Sequence, residues 1–178
     1  KILPVASGKG GVGKSVLVAN LGISLASFGQ QTVLIDLDLG GSNLHTYLGL
    51  KNKSRGIGNF ISDKKLTFDD VMIRTPYPNL RFIPGDVLVA GTANLTHAQK
   101  RSIISNISRI DADYVLLDLG SGSHFNTIDF FLISNSGVIV TTPQAPAILN
   151  AYGFLKNARF RMLQQSFSGQ KRVSDYLS

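Results

Sequence analysis

The 178 residues suit one domain, large enough to bury a single substantial core. The absence of cysteine excludes disulfides, thiol catalysis, thiolate-held clusters and Cys-ligated zinc from this segment, and is compatible with a cytoplasmic protein. Eighteen basic against eleven acidic side chains, every acidic one an aspartate, leave a formal charge of +7, which favours anionic partners such as nucleotides, nucleic acid or a lipid surface.

No apolar run approaches the roughly 18 residues that span a bilayer, and the first residues do not have the form of a signal peptide. The chain opens on Lys1 rather than methionine, so further sequence is expected upstream.

Residues 2–6 are apolar and predict a strand, with Pro4 the misfit, because proline donates nothing to a ladder. The stretch Ser7-Gly8-Lys9-Gly10-Gly11-Val12-Gly13-Lys14-Ser15 fills the frame G-x-x-x-x-G-K-[ST] with Gly8, Gly13, Lys14 and Ser15. Glycines let successive amides converge on one point, and a helix N-terminus adds partial positive charge, so the loop cradles phosphate. Lys14 supplies a full charge for the β- and γ-phosphates, and the Ser15 hydroxyl suits magnesium, which takes oxygen ligands.

A helix over 16–28 follows, with Leu17, Leu21, Leu25 and Phe28 predicted as its buried stripe and Gly29 as its stop. Residues 32–35 form a wholly apolar run, as in a strand buried on both faces of a parallel sheet, and Asp36 and Asp38 stand at its ligand-binding carboxyl end. The segment 44–78 is less regular, with turn formers at Gly49, Gly56, Gly58, Pro76 and Pro78. Within it, Thr67-Phe68-Asp69-Asp70 has the form of a capping box before a short helix.

Residues 80–83 predict a strand closed by Pro84-Gly85. The helix after Thr96 should bury Ile103, Ile104, Ile107 and Ile110, leaving Lys100, Arg101 and Arg109 on its other faces. Residues 114–117 are a hydrophobic strand closed by Asp118, the Walker B form, whose carboxylate holds a magnesium shell. A helix over 126–134 carries Phe130, Phe131, Leu132 and Ile133 as either core or subunit contact. A buried strand over 138–143 and a helix over 147–163 complete the pattern. From Gln144 onward Lys156, Arg159, Arg161, Lys171 and Arg172 face Asp175 alone, read as a solvated helix face. His45, His97 and His124 show no metal-ligand spacing and read as surface or loop residues, while Ser121 and Ser123 lack an evident general base.

Alternating strands and helices predict an α/β fold, a P-loop NTPase with a mainly parallel sheet flanked by helices on both faces. A lysine directly after the first glycine, in Lys9-Gly10-Gly11-Val12-Gly13-Lys14-Ser15, resembles the deviant Walker A loop of the MinD/ParA family. Asp36-Leu37-Asp38-Leu39-Gly40-Gly41-Ser42-Asn43 resembles the D-x-D segment of its MinD and FlhG branch, Gly122 matches the family's D-x-x-x-G switch, and Thr141-Thr142-Pro143 is similar to a strand end in MinD-like and Mrp-like proteins.

The resemblance implies an ATPase that binds ATP with Mg2+, dimerises face to face around two nucleotides and hydrolyses slowly. It implies Lys9, Lys14 and Asp38 as catalytic residues, Lys9 reaching the partner's nucleotide and Asp38 orienting the attacking water. Nucleotide binding falls to Gly8, Lys9, Gly10, Gly11, Val12, Gly13, Lys14, Ser15, Val16 and the Gly122 amide, and the metal to Ser15, Asp36 and Asp118. It also implies one P-loop domain over 1–178, continued beyond its C-terminus in a longer protein. The expected location is cytoplasmic, with a place at the membrane or cell pole, a membrane or DNA surface and a protein activator left open. A ParA-like DNA partition ATPase and an Mrp-like iron–sulfur carrier are the alternatives, with a small-molecule amidoligase behind them.

Overall fold

The computed structural model describes residues 1–39, 41–51, 55–85 and 95–167. Gly40, Lys171, Arg172 and Asp175 lie outside them. In chain order the elements are β1 (Ile2–Ser7), α1 (Lys14–Ser27), β2 (Thr32–Leu37), α2 (Leu44–Tyr47), α3 (Ile57–Ser62), α4 (Phe68–Val71), β3 (Ile73–Arg74), β4 (Leu80–Ile83), α5 (His97–Ile107), β5 (Tyr114–Ser121), α6 (Phe125–Phe131), β6 (Val138–Ile139) and α7 (Ala145–Ser166).

Six strands form one sheet in the order β3-β4-β2-β5-β1-β6, parallel except for the β3–β4 pair at one edge. Because side chains alternate along a strand, each buried strand feeds two cores. Val33, Ile35 and Leu37 of β2 and Val115, Leu117 and Leu119 of β5 pack with Ile103, Ile107, Ile128, Phe130 and Phe154 of α5, α6 and α7. Leu34, Leu116 and Phe82 point the other way, onto Val18, Ala19 and Ala26 of α1 and Leu44 of α2. The predicted α/β fold with helices on both faces is therefore the observed one. Asp36 and Asp118, directly paired in register, fall on the α1 face near the carboxyl ends of the two central strands.

Several local expectations are corrected. In α1 the buried face is Val18, Ala19, Gly22 and Ala26, while Leu17 and Phe28 of the predicted stripe are exposed. The helix lies so close to the sheet that a Cβ on Gly22 would stand 2.6 Å from Leu34 Cδ2. Small residues must face that contact, and the leucines are pushed to its sides. In α5, Ile103 and Ile107 are buried as predicted, but Lys100 is buried too, ion-paired with Asp129 of α6.

The predicted buried strand 138–143 shortens to the half-buried two residues of β6 beside β1, and α3 and β3 occupy a stretch read as irregular. Gly58, read as a turn former, lies inside α3. One half of the capping box at Thr67 is formed: the Thr67 N–H donates to Asp70 Oδ2 at 2.7 Å, and the Thr67 hydroxyl donates to the same oxygen at 2.7 Å.

Pro4 costs the ladder nothing. It shares parity with Ile2 and Ala6, whose carbonyls accept from Ser134 Oγ at 2.9 Å and from the Val140 N–H at 2.8 Å, so its nitrogen faces the β6 side. There β6 pairs only with Val5 and Ala6, and Pro4 sits before that pairing starts.

Candidate nucleotide-binding site

The turn from β1 into α1 is built by conformation more than by side chains. Gly11 and Gly13 hold φ of +76° and +90°, where a Cβ is strained, and Gly13 is the N-cap of α1. The first turn of α1 contains no acidic residue, so its open N–H groups and dipole present uncompensated positive charge. Gly10, Gly11, Val12, Gly13, Lys14, Ser15 and Val16 line a cavity of about 240 Å3 with Ser7, Asp38, Asn43, Tyr47 and Ser121.

Gly8 answers a different need. The α7 backbone crosses behind it, and a Cβ there would lie 2.2 Å from the Asn150 carbonyl carbon. Lys9, on the same loop, is exposed. Lys14 turns inward, and its ammonium donates to Asp118 Oδ1 in a buried pair, 7% and 1% exposed. Burial pushes the Asp118 carboxyl above its ordinary range, although Lys14 and Ser15 pull it down.

Asp36 is completely buried and stands behind the cradle. Its Oδ1 accepts the Asp38 N–H at 3.1 Å, and its Oδ2 accepts Ser42 Oγ at 2.6 Å and the Leu44 N–H at 3.2 Å. Desolvation pushes this carboxyl up to about 7, and the neighbouring Asp118 charge adds to the effect. It thereby ties down the loop that presents Asp38. Asp38 is half-buried and lines both the phosphate-loop cavity and a neighbouring one of about 600 Å3 that runs past Ser121, His124 and Phe125 to Phe130. Gly122, at φ +83°, donates its N–H to the Ser7 carbonyl at 2.9 Å, so its amide is held on the strand that leads into the loop.

Ser7, Asn43 and Ser121 in the cavity wall fell within stretches quoted as motifs or weighed by name but were given no binding role, and Tyr47 lay outside them. The pairing of β1 with β5 brings Ser7 and Ser121 side by side there. His97 and His124 are exposed as predicted, whereas His45 is half-buried with its Nδ1 enclosed.

The donor set fits magnesium: hydroxyl and carboxylate oxygens of Ser15 and Asp118, beside the ammonium of Lys14 and close to Asp38. A glycine-lined amide cradle between a strand and a helix, with an inward lysine and a strand-end aspartate, defines a P-loop domain for nucleoside phosphates.

The chain belongs to the ParA/MinD family of P-loop NTPases: residues 1–163 match the ParA family model, described as "NUBPL iron-transfer P-loop NTPase". The putative septum site-determining protein MinD of Chlorella vulgaris is 32% identical over 152 residues, which are 85% of this chain and 54% of that protein. The flagellum site-determining protein YlxH of Helicobacter pylori is 33% identical over 163 residues, 88% of this chain and 53% of that one. The chain thus spans about half the length of these curated relatives. Among solved structures, the Pyrococcus horikoshii septum site-determining protein MinD complexed with Mg-ADP superposes with a TM-score of 0.76 at 24% identity, covering 89% of this chain and 65% of that one, which shows the shared fold.

Proposed function

We propose that this domain is a magnesium–ATP switch of the MinD/FlhG kind, which pairs face to face with a second copy around two nucleotides and hydrolyses ATP slowly. The observation that carries the reading is the contrast between two lysines on one glycine loop: Lys14 is buried against Asp118, and Lys9 is exposed. A buried lysine can serve its own phosphate, and an exposed one is available to a neighbour's.

In the loaded site Ser15 and Asp118 would hold the magnesium, which would neutralise charge on the phosphates. Lys14 leaves Asp118 for the β- and γ-phosphates, and the loop amides from Gly10 to Val16 take the remaining oxygens. Asp38 holds the attacking water, with Asp36 keeping its loop in place. No covalent intermediate is needed, since positioning and charge stabilisation lower the barrier for in-line attack. In this reading Gly122 exchanges the Ser7 carbonyl for the γ-phosphate, the two-state contact a switch requires.

Light scattering and phosphate release with ATP or ADP test the proposal. Lys9→Ala should abolish ATP-dependent dimers, and Asp38→Ala should keep the dimer but stop turnover. Normal dimerisation and hydrolysis by the Lys9 variant would eliminate the cross-subunit role.

A DNA-partition role is favoured by the charge of +7, and its mark is binding to nonspecific duplex that weakens steeply with salt. An iron-transfer role, the one in the family model's description, would need ligands from outside these 178 residues if they are thiolates, since the chain has no cysteine.

A further inference from the structure

Asp129 lies mid-way along α6 and is 6% exposed, an unusual place for an aspartate on a helix of seven residues. Two other helices converge on it. Arg161 of α7 donates Nε to Oδ1 at 2.8 Å and Nη2 to Oδ2 at 3.2 Å, Gln165 Nε2 donates to Oδ1 at 3.0 Å, and the Lys100 ammonium of α5 donates to Oδ2. Burial alone would push the carboxyl up, yet the Arg161 and Lys100 bonds hold it below its ordinary range, so it stays a charged acceptor. Apolar side chains of similar volume would join three helices as firmly. A forked guanidinium–carboxylate contact adds direction, fixing how α6 is rotated about its axis.

What α6 carries is the end of the switch segment. Residues 120–124 run straight into it. Its first residue, Phe125, lies under the Arg161 guanidinium, 5.5 Å from the ring centroid. Its second, Asn126, accepts from Lys100 Nζ at 3.4 Å, and both side chains line the larger cavity with Asp38 and Ser121. The other end of α7 bears on the phosphate loop, where Asn150 and Ala151 press against Gly8. Eleven residues of helix separate that contact from Arg161, roughly 16 Å of rigid rod. One helix therefore touches the phosphate loop at one end and is forked to the switch helix at the other.

We propose that Asp129, held by Arg161 and Lys100, is a positioning node that seats the 120–124 loop for the γ-phosphate, so that the domain tells ATP from ADP only while the node is intact. This rests on the nucleotide reading above and adds to it a regulatory site outside the glycine loop. ADP, which lacks the γ-phosphate, needs the glycine loop but not the seated switch, and that asymmetry separates positioning from general support.

Isothermal titration of the domain with Mg-ADP and with a non-hydrolysable Mg-ATP analogue decides it, comparing wild type with Asp129→Asn and with Arg161→Gln. Wild type should prefer the ATP analogue. Both variants should keep the ADP affinity within about threefold while the preference for the analogue falls by roughly tenfold or more. Arg161 is partly exposed, so its variant decides the matter should Asp129→Asn fail to fold. Folded variants with an unchanged preference, even with a lower Tm, would leave the node purely structural and overturn the proposal. A wild type that shows no preference would overturn it as well. A wild type that binds neither nucleotide would refute the nucleotide reading itself, which is a distinguishable result.

Discussion

Asp118→Asn should make nucleotide bind more tightly in the absence of magnesium and less tightly in its presence. The Lys14 ammonium is buried on Asp118, so a phosphate chain arriving without metal must take the lysine from that carboxylate and leave it unpaired in the interior, beside Asp36 and Asp38. A hydrogen bond to a charged group contributes about 1.5–3 kcal/mol, and at about 1.4 kcal/mol per tenfold its loss corresponds to about 10- to 100-fold in metal-free affinity. Asparagine keeps the size and one acceptor while removing the charge. The lysine is then released to the phosphates, and metal-free affinity should rise by that factor.

If Asp118 holds magnesium as proposed, the metal would lose an anionic ligand in the same variant, and its enhancement of binding should largely disappear. Equilibrium titration with a fluorescent ATP analogue, in EDTA and in magnesium, reads both effects, and circular dichroism checks the fold. A folded Asp118→Asn protein whose metal-free affinity equals or falls below that of wild type would refute the idea that Asp118 holds the lysine back.

The Asp36 carboxyl, raised by burial to about 7, binds a proton in the folded state that the unfolded chain gives up at ordinary carboxylate pH. Its contribution to stability is therefore complete at low pH and is lost as pH rises through about 7. Urea midpoints between pH 5 and 8 should fall with pH in wild type and less so in Asp36→Asn; parallel curves would count against it. Gly8→Ala forces a Cβ into the Asn150 backbone and should displace α7 and weaken nucleotide binding, whereas at Gly10 the nearest atom, Ser121 Oγ, is 3.6 Å away and the apo fold should tolerate alanine. Thermal melts and nucleotide titrations of the two variants make the comparison. Gly22→Ala overpacks the α1–sheet contact at Leu34 and should cost about 1–3 kcal/mol in denaturant titration, with no loss expected if Leu34 can move aside freely.

What could be read from the chain alone was whatever is encoded within a few residues: the glycine frame at 8–15, the apolar runs that became β2, β4 and β5, the aspartates at their ends, and the isoleucine face of α5. These signals survive because phosphate cradles and doubly buried strands are local in their physical demands. Side-chain partners contributed by distant segments were not legible. Lys100 looks like a solvated helix cation until Asp129, 29 residues on, takes its charge, and Asp36 looks like an open strand-end carboxylate until the Ser42 hydroxyl and the Asp38 and Leu44 N–H groups donate to it. The leucine stripe of α1 gave way to glycine and alanine because the distance between helix and sheet is set by Leu34, a residue of another element. Periodicity identifies which residues are apolar, but the neighbour that each face meets, and whether a charge is paired or solvated, is decided only when the chain has folded and brought those neighbours within contact.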